Sequence, residues 1–81
     1  MKMKMEKLIS ILKDLHPDVD YGKETELIDG GILTSLDIVA LISEINDAFD
    51  ISIPAHEIRS ENFNSAAAIM RLVEKLRERE L

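Results

Sequence analysis

The chain's 81 residues carry 16 acidic and 10 basic side chains, a net charge of −6. That balance, with the basic residues gathered toward the two ends, argues against nucleic acid as a partner. No cysteine is present, which removes disulfides, thiol catalysis and cysteine metal sites; no stretch is long or apolar enough to cross a membrane, so one cytoplasmic domain spanning 1–81 is expected.

Met5, Leu8, Ile9, Leu12 and Leu15 recur at helical spacing, with Lys4, Lys7, Lys13 and Asp14 facing away. Pro17 cannot continue this helix, which should stop at His16. A long connection runs from about Pro17 to Leu33. Loops of that length are usually functional or pinned by their own side chains, and Val19, Tyr21, Leu27, Ile28, Ile32 and Leu33 are the expected pins. The second helix should run from Ser35 to about Asp50. Its core stripe is Ile38, Leu41, Ile42, Ile45 and Phe49, while Asp37, Glu44 and Asp47 lie opposite, with Leu36 and Ala40 among them.

Ile51 to Ile53 read as an extended link, and Pro54 suits the first position of a short helix through Ile58. Asn64 is the expected N-cap of the last helix, with Phe63 stapling the entering chain to the core. Ala66, Ile69, Leu72, Val73 and Leu76 form its buried stripe, and Arg71, Glu74, Lys75, Arg77 and Glu78 its wet side. The N-terminal methionines read as surface or partial core. The expected fold is all-α: a mostly up-and-down four-helix bundle, three longer helices and one short one, with a long loop between the first two.

Ser35 is the residue most apt for chemistry. It follows the loop glycines Gly30 and Gly31 and opens a helix, where unpaired backbone N–H groups favour an attached anion. Thr34 and Asp37 match a capping box, which leaves the Ser35 hydroxyl outward and unspent. Serine is common at helix starts for capping alone, so the position by itself decides little. The charge pattern adds to it. Between Lys23 and Arg59 there is no lysine or arginine, but there are eight acidic residues. Glu44, Asp47 and Asp50 stand toward the helix C-terminus, where the macrodipole disfavours them. Solubility does not predict that confinement; a basic partner does.

The segment Gly31-Ile32-Leu33-Thr34-Ser35-Leu36-Asp37-Ile38-Val39, followed by Phe49-Asp50-Ile51-Ser52-Ile53-Pro54, resembles the acyl carrier proteins. Their pattern is Gly-x-Asp-Ser-Leu with a helix behind it, then Phe-(Asp/Gly)-x-x-Ile-Pro. The resemblance covers essentially the whole chain and implies an acyl-carrier-like bundle with no catalytic residue of its own. It implies 4′-phosphopantetheine esterified to Ser35, carrying acyl groups as thioesters between enzymes. It further implies docking through Leu36, Asp37, Ala40, Glu44 and Asp47. The partners would be a phosphopantetheinyl transferase, and loading and acyl-transfer enzymes with basic patches, all meeting a monomer. Thr34 departs from the family's usual aspartate: it keeps the capping role but not the charge, which bears on the choice of transferase.

The cargo stays open among fatty acyl, polyketide, D-alanyl and other aminoacyl groups. Gly-Gly-Ile-Leu-x-Ser-Leu and the run Glu61 to Ser65 are also similar to D-alanyl and other stand-alone aminoacyl carriers. Ala66 to Ala68 leave room for an acyl chain, though three alanines also simply make a good helix start. An unmodified adaptor using the acidic second helix is the rival from another class. A hydrolase is weaker, since no Gly-x-Ser-x-Gly elbow is present. His16 reads as a helix-end residue, and His56 lacks companions for a metal site.

Overall fold

The computed structural model describes residues 2–80, with side chains from 4 to 79. Among them are four α-helices: α1 (Lys2–Leu15), α2 (Ser35–Phe49), α3 (Ser60–Phe63) and α4 (Ala66–Glu80). One 3-10 turn, Ala55–Glu57, precedes α3. Helix α1 packs against α2 and α4, and α3 against α4.

The apolar stripes predicted from spacing converge on one core. Leu8 and Leu12 of α1, Leu41, Ile45 and Phe49 of α2, and Ile69, Leu72, Val73 and Leu76 of α4 are all buried. Ile11, Ala68 and Met70 join them, and Ile38 and Ile42 are half-buried at the margin. Full burial of such side chains contributes roughly 1.5–3 kcal/mol each. Met5 packs half-buried against this core; Met1 and the side chain of Met3 lie outside the described residues.

The long connection is packed down rather than projecting. Its Tyr21, Leu27 and Leu33 are buried, with Val19, Ile28 and Ile32 against the core. The radius of gyration, 11.6 Å, is what a compact chain of this length should have, roughly 12 Å. Asn64 holds this loop from the far end of the chain. Its Oδ1 accepts from the N–H groups of Ile28 and Asp29, both at 3.0 Å, and its carbonyl accepts from Leu27 N–H at 2.9 Å.

Asn64 is therefore not the N-cap of the last helix; it follows α3 as that helix's C-cap. Ser65 caps α4 instead, its Oγ accepting from Ala68 N–H at 3.0 Å. The short helix expected from Pro54 through Ile58 is present as one 3-10 turn, with a further α-helical turn after it. Pro54 stands before a single 3-10 turn, and the α-helical turn comes later, at Ser60–Phe63. Glu57 sets this arrangement: its buried carboxylate is drawn onto Lys75 of α4 at 2.6 Å.

Candidate functional site

The site is built on the junction of loop and α2. Gly30 N–H donates to Glu26 O at 2.7 Å, and a Cβ on Gly30 would lie 2.6 Å from that same oxygen. Gly31 follows at φ +75°, a left-handed conformation that glycine adopts without penalty. Leu33 is then buried, its N–H bonded to Leu27 O at 2.8 Å. These close turns deliver Thr34 in extended conformation to the helix start.

Thr34 and Asp37 form the predicted capping box. Thr34 Oγ1 accepts from Asp37 N–H at 3.2 Å, and Asp37 Oδ2 accepts from Thr34 N–H at 3.0 Å. A helix start leaves its first N–H groups without intrahelical acceptors. The box takes those of Thr34 and Asp37, so those of Ser35 and Leu36 remain to flank the serine. Ser35 is exposed, and its hydroxyl is not spent on capping. A phosphodiester on this oxygen would meet two N–H donors and the positive end of α2. The residues present therefore fit an attached phosphate group.

The outward face of α2 runs down from the serine. Leu36 is 82% exposed and Val39 67% exposed, two large apolar side chains in water side by side. Ala40, Glu44 and Asp47 continue the same face and are exposed. The helical phase of Val39 lies between the core stripe and the acidic face, so spacing alone assigns it to neither. Asp37 is the departure from the predicted face. It is only 23% exposed, and Oδ2 also binds His16 Nε2 at 2.8 Å. The His16 hydrogen bond, followed by that from Thr34 N–H, holds the Asp37 carboxyl below its ordinary range. His16 thus does more than end a helix, and sequence spacing could not reveal a partner 21 residues away.

His56 is exposed, and no group of metal-ligating side chains occurs among the described residues. Among the described residues no helix is long and apolar enough to cross a membrane. A cavity of roughly 100 Å³ lies between the long loop, α2 and α3, lined by Ile28, Ile38, Ile58, Arg59, Ser60 and Phe63.

The chain resembles known proteins over most of its length. The family described as "Phosphopantetheine attachment site" matches residues 6–73. The D-alanyl carrier protein of Streptococcus sanguinis is 36% identical over 71 residues, 86% of this chain and 90% of that protein. That of Streptococcus mutans is 34% identical over 77 residues, covering 95% and 98%. A third, from Streptococcus equi subsp. zooepidemicus, is 39% identical over 59 residues, covering 73% and 75%.

Proposed function

The chain belongs to the phosphopantetheine-attachment family and is a carrier protein, and we propose that Ser35 is the residue that bears its 4′-phosphopantetheine. One observation carries this reading: Ser35 stands exposed at the first position of α2 while Thr34 and Asp37 do the capping around it. When bound, the group supplies a terminal thiol that holds cargo as a thioester. The protein's own residues hold the attachment point rigid, place N–H donors beside the phosphate and keep the serine accessible.

We further propose that Leu36, Val39, Ala40, Glu44 and Asp47 form the docking face for the transferase and for loading and transfer enzymes with basic patches. The apolar pair would supply contact area and the acids steering. Exposed charge pairs are individually weak, so such complexes would form and part quickly, as a shuttle requires. Asp37, turned inward to His16 and Thr34, serves this face as its cap.

The proposed cargo is D-alanine, as in the relatives' names. A polar amino acid held on a thioester needs no shelter from water, so no buried cargo site is required of the bundle. The test offers the phosphopantetheinylated protein D-alanine, L-alanine or a fatty acid, each with its activating ligase. Intact mass then reports a hydroxylamine-sensitive adduct. Loading by D-alanine with none on Ser35→Ala is expected; preferential fatty acylation would overturn the cargo, and loading of Ser35→Ala the site.

A further inference from the structure

The Oδ2 atom of Asp37 accepts two hydrogen bonds from different parts of the chain. One, from Thr34 N–H at 3.0 Å, closes the capping box of α2. The other comes from His16 Nε2 at 2.8 Å, just beyond the end of α1. An ionised carboxylate only accepts, so Nε2 carries the shared hydrogen. Neither side chain is fully in water, with His16 37% and Asp37 23% exposed. Such partial shielding makes the contact firmer than a surface pair.

His16 is itself held on two sides. Its N–H donates to Leu12 O at 3.0 Å, and its carbonyl accepts from the Tyr21 hydroxyl at 2.8 Å. The same hydroxyl reaches Leu12 O at 2.9 Å, and the Tyr21 ring is buried. A chain of contacts thus runs from the core, through Tyr21 and the end of α1, to the first turn of α2. Ser35 lies inside that turn, between the two residues of the box.

We infer that His16 is a positioning residue for modification of Ser35, acting through Asp37 to keep the first turn of α2 ordered. The inference rests on Ser35 being the attachment residue. Helix ends are the least stable parts of helices, and a box exposed to water opens readily. Each opening moves the serine between Thr34 and Asp37. A transferase that accepts only the ordered turn binds with an affinity reduced by the fraction ordered. Once bound, the turn is ordered and the chemical step is unaffected. Loss of His16 therefore raises KM and leaves kcat alone.

The experiment compares the parent with His16→Leu, which removes the donor, and His16→Gln, which restores an N–H at similar reach. All are used as the full chain, at a temperature where circular dichroism shows each fully folded, so that global stability does not enter. Amide exchange at Thr34 and Asp37 is read by NMR without any enzyme. KM and kcat are then measured with coenzyme A and a broad-specificity phosphopantetheinyl transferase. In His16→Leu, exchange should quicken and KM rise by about 3–10-fold at constant kcat, with His16→Gln within about twofold of the parent. Unchanged exchange, unchanged KM, a fall confined to kcat, or failure of the glutamine to rescue overturns the inference. A parent that accepts no phosphopantetheine removes the Ser35 reading and the kinetic role together. Exchange at Thr34 and Asp37 then still decides whether His16 holds the turn.

Discussion

Lys7 Nζ donates to the Ala48 carbonyl at 2.7 Å and lies 5.4 Å from the centre of the Phe49 ring. Helix α1 thereby supplies the cation that the last turn of α2 lacks, since no basic residue occurs there. The carbonyls at a helix C-terminus have no intrahelical partners and carry the negative end of the dipole. Lys7 thereby offsets the negative charge of Glu44, Asp47 and Asp50, which crowd that end of α2.

Replacing this cation should therefore weaken the bundle at its far end from Ser35. Lys7→Met is expected to lose roughly 0.5–1.5 kcal/mol in urea unfolding, less at high salt because the charge is partly screened. A loss independent of ionic strength would point to packing of the lysine stem alone.

Glu57 carries a pH dependence. Its buried carboxylate accepts from Lys75 at 2.6 Å and from Asn62 Nδ2 at 3.3 Å, and the Lys75 hydrogen bond outweighs burial to hold its pKa below the ordinary 4.5. A carboxyl with a lowered folded pKa stabilises fully above its unfolded value and loses that contribution as pH falls through the folded one. Lys75→Met should accordingly lower Tm most near neutral pH, and the gap to the parent should shrink below about pH 4.5. A gap constant with pH contradicts the pairing.

Asp50 ends α2 in the left-handed region at φ 54°, its N–H bonded to Asn46 O. Glycine has no Cβ to strain there, and its introduction also removes a carboxylate from the negative end of the helix. Asp50→Gly should raise stability by about 0.5 kcal/mol or more, read from the thermal midpoint.

Charge reversal tests the docking face. Glu44→Lys with Asp47→Lys should slow phosphopantetheinylation by about 3–10-fold at low salt, converging on the parent as salt screens the field. Glu74→Lys, on the exposed side of α4, is the control and should change little.

What sequence made legible is what local spacing encodes. The core stripes of α1, α2 and α4, the Thr34 and Asp37 box, and the serine at the helix start all follow from periods of three and four residues. What it hid depends on contacts between distant segments. His16 meets Asp37, Asn64 holds Ile28 and Asp29, and Lys7 reaches Ala48 across 41 residues. In the region from Pro54 to Ser65, the turn at Ser60–Phe63 and the Ser65 cap of α4 are hidden for the same reason. The turns of this region are fixed by Glu57 reaching Lys75 and Asn64 reaching the loop, not by any periodicity of their own.

Intact mass of the unmodified protein, before and after incubation with coenzyme A and a phosphopantetheinyl transferase, tests the central claim most directly. The parent should gain one phosphopantetheine, localised to the peptide containing Ser35, and Ser35→Ala should gain none. A folded parent that gains nothing, or a Ser35→Ala protein that is still modified, would contradict it.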